Sequence, residues 1–190
     1  MIVGITGGIG SGKSTIAKQL HKMGYSVYDT DREAKRLIVE DADVRQQIEQ
    51  LLGKEVYVGD VYQTALVAQR VFADKSLLHQ LNKIVHPAVR TDIRYRVEGM
   101  DKKDLFFVEC AILYQAGIDQ VCDKVIVVTA PEDVRLQRVI ARDTSTPDQV
   151  RARMHAQDVA QDMQRADIVV NNDGKVTIEE LCQEIITKIY

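Results

Sequence analysis

The sequence predicts a three-layer α/β fold, in which a five-stranded parallel sheet carries helices on both faces, a helical insertion and an arginine-bearing hairpin. Three observations predict it. Short runs rich in β-branched or aromatic residues alternate with helical patterns from the first residues onward. The run Val125-Ile126-Val127-Val128 is apolar without alternation, as a strand covered on both faces requires. Roughly 75 residues without a convincing strand separate the second strand from the third, too many for a simple crossover.

Taken in order, residues 2–6 read as the first strand, 13–23 as the first helix and 26–28 as the second strand. Helical patterns at 43–52, 63–72, 76–84 and 87–99 make up the insertion, and strands are expected at 105–110, 125–129 and 167–170. Capping-box spacing marks helix starts at Thr30 with Glu33, Thr129 with Glu132, Thr146 with Gln149 and Thr177 with Glu180, and Pro131 and Pro147 suit a first turn. The helix from Pro131 puts Leu136, Val139 and Ile140 on one face and Arg135, Arg138 and Arg142 on the other. With a second helix from Pro147 it forms a hairpin short of large apolar residues, which reads as a mobile flap. The expected organisation is a core of 1–30, 104–130 and 166–190, an insertion of 31–103 and a lid of 131–165.

A chain of 190 residues, 45% apolar and 28% charged, has the composition of an ordinary globular domain with a small appendage. Its net charge of −3 comes from mixed acids and bases, so no basic stripe points to nucleic acid. Cys110, Cys122 and Cys182 are scattered without metal-ligand spacing and read as reduced cytosolic thiols. No basic leader precedes the first strand, and no apolar run approaches the roughly 18 residues that span a bilayer. A cytoplasmic protein, monomeric or weakly homo-oligomeric and without membrane contact, is the expectation.

Gly7-Gly8-Ile9-Gly10-Ser11-Gly12-Lys13-Ser14 satisfies G-x-x-x-x-G-K-[ST], with a strand before it and a helix after it. This is a phosphate-binding P-loop, which makes the fold that of a P-loop NTPase. Gly8, Gly10, Ser11, Gly12 and Thr15 supply backbone N–H groups to the phosphates of a nucleotide such as ATP, Lys13 a charge for its β- and γ-phosphates, and Ser14 a hydroxyl for Mg²⁺. A GTPase would add D-x-x-G and N-K-x-D; no glycine has an aspartate three residues earlier, and Asn82-Lys83 runs on into Ile84-Val85. An arginine-rich flap that excludes water suits transfer to a hydroxyl instead.

Tyr28-Asp29-Thr30-Asp31 leaves the second strand at the sheet's carboxyl edge, where ligands bind in open α/β sheets. With Thr30 as cap, Asp31 falls at the first helical position and is either a general base or a good helix-start residue, while Asp29 could help hold hydrated Mg²⁺. Glu109 ends the third strand at the same edge. It contacts Mg²⁺ through water or a substrate hydroxyl, or has no role. Residues 131–165 hold six of the 13 arginines and no lysine, a bias that fits bidentate phosphate contacts and stacking on a purine. A solvated helix face is the competing account, strongest for Arg135, Arg151 and Arg153. Lys83 and His86-Pro87 with Arg90 form a cationic cluster at an expected helix start, which is either an anion site or an incidental one. Asn171-Asn172-Asp173-Gly174 reads as a turn near the nucleotide base.

The chain resembles the dephospho-CoA kinase family over nearly its whole length. Ile5 to Thr15, Asp29-Thr30-Asp31 with Ala34-Lys35, Leu81-Asn82 through His86-Pro87-Val89-Arg90, Arg138, Arg142-Asp143, Gln157 and Ala166-Asp167 to Asn172 with Gly174 carry the resemblance. It implies ATP-dependent phosphorylation of the ribose 3′-hydroxyl of dephospho-CoA, with Asp31 as general base and the insertion binding CoA through His86 and Arg90. Arg138 and Arg142 are then lid-base arginines that contact the base and phosphates of ATP, and Asn171 belongs to the nucleotide site. The chain departs from the family pattern at Cys110-Ala111-Ile112-Leu113-Tyr114-Gln115, where many relatives have a Pro-Leu-Leu-Phe-Glu-like stretch, and at Gln63, where a basic residue is common. A nucleoside or nucleotide kinase of the same architecture and a P-loop switch protein are the competing readings.

Overall fold

The computed structural model describes residues 1–101, 103–157 and 159–190; Lys102 and Asp158, which fall in the expected insertion and lid, lie outside the described residues. The chain forms two compact units, Met1–Tyr28 with Gly99–Tyr190, and Asp29–Glu98. It begins with β1 (Ile2–Thr6), α1 (Lys13–Lys22) and β2 (Ser26–Asp29). There follow α2 (Thr30–Glu40), α3 (Ala42–Leu52), β3 (Tyr57–Val58), β4 (Val61–Tyr62), α4 (Thr64–Ala73) and α5 (Lys75–Val97). The remainder is β5 (Phe106–Glu109), β6 (Lys124–Thr129), α6 (Glu132–Arg142), α7 (Pro147–His155), α8 (Val159–Arg165), β7 (Ile168–Asn171) and α9 (Ile178–Ile189).

The sheet has the order β2-β5-β1-β6-β7, with β1 parallel to both β5 and β6, and β6 parallel to β7. Register places Ile5 beside Glu109 and Thr6 beside Val127, so the loop after β1 and the end of β5 share the carboxyl edge. Val3, Ile5, Phe107 and Ile126 bury one face against Ile16 and Leu20 of α1 and Leu181 and Ile185 of α9. The opposite face is buried too, through Phe106, Val108, Val125 and Val127, which is why these strands read as continuous apolar runs. There the segment after β5 presses so close that a Cβ on Gly4 would lie 2.7 Å from Leu113 Cδ1. Burial pushes the Cys122 thiol up to about 12 and the Cys182 thiol up to about 11, so both stay protonated. Among the described residues no helix is long and apolar enough to cross a membrane.

In the Asp29–Glu98 unit, α5 buries Leu81, Val85, Val89 and Ile93 as one four-residue-spaced stripe against α2, α3 and α4. Three expectations are corrected here. No helix starts at His86-Pro87, because α5 runs through Pro87. A proline inside a helix costs roughly 3 kcal/mol, but burying four large side chains at about 1.5–3 kcal/mol each outweighs it. The insertion also contains strands, since Tyr57-Val58 and Val61-Tyr62 pair antiparallel about Gly59-Asp60. Gly59 has φ +60°, and Arg45 lies 4.6 Å over the Tyr57 ring while donating to the Gly59 carbonyl at 2.7 Å. Finally, the N-cap of α2 is Asp29, whose Oδ1 accepts from Arg32 N at 3.1 Å, so Thr30 is the first helical residue and Asp31 the second.

Glu33 is unavailable for a capping box because it lies buried at the centre of an ion cluster. Its carboxylate accepts from Arg36 at 2.7 Å, Arg96 at 2.8 Å and Arg32 at 2.9 Å, and Arg36 extends the cluster to Asp92 at 2.9 Å. This ties α2 to α5. The other capping boxes divide in the same local way. Those of Thr146 with Gln149 and Thr177 with Glu180 form, whereas α6 starts at Pro131 with no side-chain cap and Thr129 stays in the sheet opposite Asn171.

Burial opposes ionisation of Glu33, but hydrogen bonds from Arg36 and Arg32 and the charge of Arg96 outweigh it and hold its carboxyl below the usual glutamate range. A lowered value means that the stabilisation is present above the ordinary glutamate pKa and is lost as pH falls through the folded one. Glu33→Gln should therefore cost about 1–3 kcal/mol at pH 7, the partly exposed arginines limiting the loss. Thermal melts should show the gap to the unsubstituted chain constant from pH 7 to pH 5 and narrower at pH 3.5; a gap of unchanged width would refute the ion-cluster account.

Candidate active site

The phosphate loop joins β1 to α1 in a conformation that its glycines permit. Gly10 has φ +79°, and a Cβ there would sit 2.5 Å from the Arg135 carbonyl oxygen. Gly12, with φ +92°, is the N-cap of α1 and brings no side chain to the first turn, so the helix start keeps its N–H groups for an anion. Ser11 closes the loop, its N–H donating to the Gly8 carbonyl at 3.1 Å. Its hydroxyl is buried with no partner among the described residues.

A cavity of about 300 Å³ opens on this helix start, with Lys13, Ser14 and Thr15 on one side and Arg138, Arg142 and Asn172 on the other. Ser14 Oγ donates to Glu109 Oε1 at 2.9 Å, which joins the end of β5 to the loop. A hydroxyl and a buried carboxylate are hard oxygen donors that suit Mg²⁺. Among the described residues no three His, Cys, Asp or Glu side chains form a metal cage, so an ion here would keep ligands from water and nucleotide.

The helix α6 lies along the loop. Arg138 Nη1 donates to the carbonyls of Asn172 at 3.0 Å and Ser11 at 3.4 Å, and Arg135 Nε donates to the Ile9 carbonyl at 3.0 Å. Ile9 N–H donates to Gln157 Oε1 at 2.7 Å. Arg142 is exposed and pairs with Asp143 at 2.8 Å. Val139, Val150 and Met154 form an apolar cluster with Leu136 and Ile9 at their edge, so the α6–α7 hairpin has a small core that its composition hid.

Of the expected residues, the glycines, Ser11, Lys13, Ser14, Thr15, Glu109, Arg138 and Arg142 gather in the first unit. Asn171 is exposed, its amide 3.5 Å from Asp173 Oδ2; Asn172 is buried, and its Nδ2 donates to the Ser11 carbonyl at 2.8 Å. The signal for Asn172 was the strand's alternation, which continues from buried Val170. Asp29, Asp31, His86 and Arg90 belong to the second unit, with Asp31 exposed in the first turn of α2. His86 and Arg90 lie one turn apart on α5, where burial and then the charge of Arg90 hold His86 below the ordinary imidazole value.

The sequence profile described as dephospho-CoA kinase matches residues 1–177. A dephospho-CoA kinase of Bacteroides fragilis is 34% identical over 189 residues, covering 99% of this chain and 92% of its own. A crystal structure named TT1252 from Thermus thermophilus superposes with a TM-score of 0.81 at 32% identity, over 98% of this chain and 96% of that one. The dephospho-CoA kinase of Campylobacter jejuni shares the fold at a TM-score of 0.74 and 23% identity, over 99% of this chain and 96% of that one.

Asn172 and Asn171 give a paired test of the loop's support. Asn172→Ala removes a buried donor and leaves the Ser11 carbonyl only the longer 3.4 Å bond from Arg138, at a cost of about 1–3 kcal/mol. Asn171→Ala should stay within roughly 0.5 kcal/mol, as exposed substitutions do. Equal losses in thermal denaturation would contradict the assignment of support to Asn172.

Proposed function

The chain belongs to the dephospho-CoA kinase family and phosphorylates dephospho-CoA with ATP, and from that premise we propose the roles of its residues. The observation that carries the reading is a full-length family match on a chain whose phosphate loop opens on a cavity lined by Lys13, Ser14, Arg138 and Arg142. The N–H groups of Gly8, Gly10, Gly12, Lys13 and Ser14 bind the phosphates, while those of Ser11 and Thr15 donate to the Gly8 and Gly12 carbonyls and these residues shape the loop; Lys13 stabilises charge that develops on the transferred group, and Arg138 and Arg142 contact the base and phosphates. Asn171 takes part in the nucleotide site as the exposed residue before Asn172, which lines the cavity.

Asp31 accepts the proton of the ribose 3′-hydroxyl and orients that oxygen toward the γ-phosphate. Its exposure and its place in the first turn of α2 support this role. His86 and Arg90 bind the substrate within a CoA-binding module of 31–103, supported by their adjacency on α5. Their anion site rests on the two side chains, since no helix start lies there. Ser14, Glu109 and Asp29 would hold Mg²⁺, which when bound neutralises charge on the β- and γ-phosphates. Residues 131–165 act as the lid that keeps water from the reaction. The enzyme works in the cytoplasm as a monomer or weak oligomer.

ADP release should be stimulated by dephospho-CoA well above AMP or nucleosides; preference for AMP or a nucleoside would replace this reading with a nucleotide kinase. Asp31→Asn should lower kcat by about 10²–10⁴ with little change in Mg·ATP affinity or Tm. Weakened Mg·ATP binding would instead make Asp31 a metal ligand, and a lower Tm alone would make it a helix-start residue.

A further inference from the structure

We propose that Ile178 sets the range of nucleotides that the kinase accepts: it is the floor on which the nucleobase lies, and the site takes GTP as well as ATP because no side chain beside that floor reads the base's edge. The inference rests on the kinase reading above and adds a residue that it does not use. The phosphates are held by charge and by open N–H groups at the start of α1, with Lys13 and Ser14 on that side of the cavity. The nucleoside joined to them occupies the side that remains, where Arg138, Arg142, Asn172 and Ile178 stand. Ile178 is the first residue of α9, directly after the N-cap Thr177. It is half-buried, packed on the core beneath α9, and it also lines the cavity. An apolar side chain offers a phosphate nothing, whereas the flat face of a purine packs well on one. Val139 lines the cavity too, but it is 1% exposed and belongs to the hairpin's own cluster, which leaves Ile178 as the apolar surface that a base can use.

Telling adenine from guanine by side chain requires an acceptor for the 6-amino group of adenine. Asn172 is spent on the loop: it is buried, its Nδ2 donates to the Ser11 carbonyl at 2.8 Å, and its Oδ1 accepts from Arg138 Nη2 at 3.4 Å. Arg138 and Arg142 only donate, and N7 of either purine and O6 of guanine all accept, so the two guanidinium groups suit both bases by bonding or by stacking. The cavity lining holds no Asp, Glu or Gln, and the Ser14 and Thr15 hydroxyls lie with the phosphates. A site that hydrogen-bonds a distinguishing group rejects the analogue lacking it by roughly 10⁴-fold or more, whereas apolar contact separates similar ligands by only about 10- to 200-fold. The base is therefore gripped by its faces, and its edge carries little selection.

The competing accounts are that a backbone carbonyl of the 171–177 turn reads the 6-amino group, which would make the enzyme select ATP, and that Ile178 only supports the start of α9. Tripolyphosphate separates them from the proposal, since it has the phosphates and no nucleoside. Affinities for Mg·ATP, Mg·GTP and Mg·tripolyphosphate are measured by calorimetry on the full chain, with Ile178→Ala and Ile178→Val beside the unsubstituted protein and melts to check folding. GTP should bind the unsubstituted chain within about 30-fold of ATP. Ile178→Ala should weaken both nucleotides by about 3- to 10-fold and leave tripolyphosphate within about twofold, with Ile178→Val in between. A wider gap between ATP and GTP would assign the selection to a backbone reader. A loss that extends equally to tripolyphosphate would make Ile178 a support of the loop, and no loss for any ligand would make it incidental; each of these overturns the proposal. An unsubstituted chain that binds none of the three and forms no ADP with dephospho-CoA would instead overturn the kinase reading itself.

Discussion

A loop that must offer most of its N–H groups to a polyanion has few left for its own carbonyls beyond the Ser11–Gly8 turn, and most of the first unit follows from that constraint. Gly12 caps α1 without a side chain, which leaves the first turn open. The loop's carbonyls then need donors from elsewhere. Asn172 and Arg138 serve Ser11, and Arg135 serves Ile9. These residues come from two distant stretches of chain, the start of α6 and the end of β7, which the parallel sheet carries to the same edge. The loop is therefore held from outside by residues that also line its cavity.

The second unit solves a different problem, with charge in place of apolar surface. α2 presents a mostly polar sequence, and only Thr30, Glu33 and Leu37 are buried on it. A helix with one large apolar anchor would pack loosely. Glu33, gripped by Arg36 and Arg96, supplies directional contacts that fix the rotation of α2 against α5.

The P-loop and the sheet were legible in the sequence because their signals are local and redundant: glycines at fixed spacing, a lysine, and strands apolar on both faces. What escaped was decided by tertiary competition. The capping box at Thr30 failed because Glu33 found three arginines and Asp29 was a better cap. The break expected at Pro87 failed because four buried side chains of α5 outweigh one proline. The hairpin at 57–62 did carry a signal, Gly59-Asp60 between Tyr-Val and Val-Tyr, but its strands are only two residues long. Arg135 looked like part of a solvated face because nothing in its own helix shows that the Ile9 carbonyl lies beside it.

Ile9 links these arguments, since it belongs to the phosphate loop by sequence and to the hairpin's apolar cluster by contact. Its peptide is held on both sides by residues of 131–165, Arg135 at the carbonyl and Gln157 at the N–H. Anchoring changes in kind along that segment. α6 is tied to the loop by two arginines and Val139, α7 by Val150 and Met154, and α8 has no buried residue among those described. α8 is held by charge instead, through Arg165, which pairs with Asp119 at 3.0 Å and lies 3.9 Å over the Tyr114 ring. The segment is therefore anchored at both ends, by apolar and arginine contacts at α6 and by Arg165 at α8, with Gln157 between them on the Ile9 N–H.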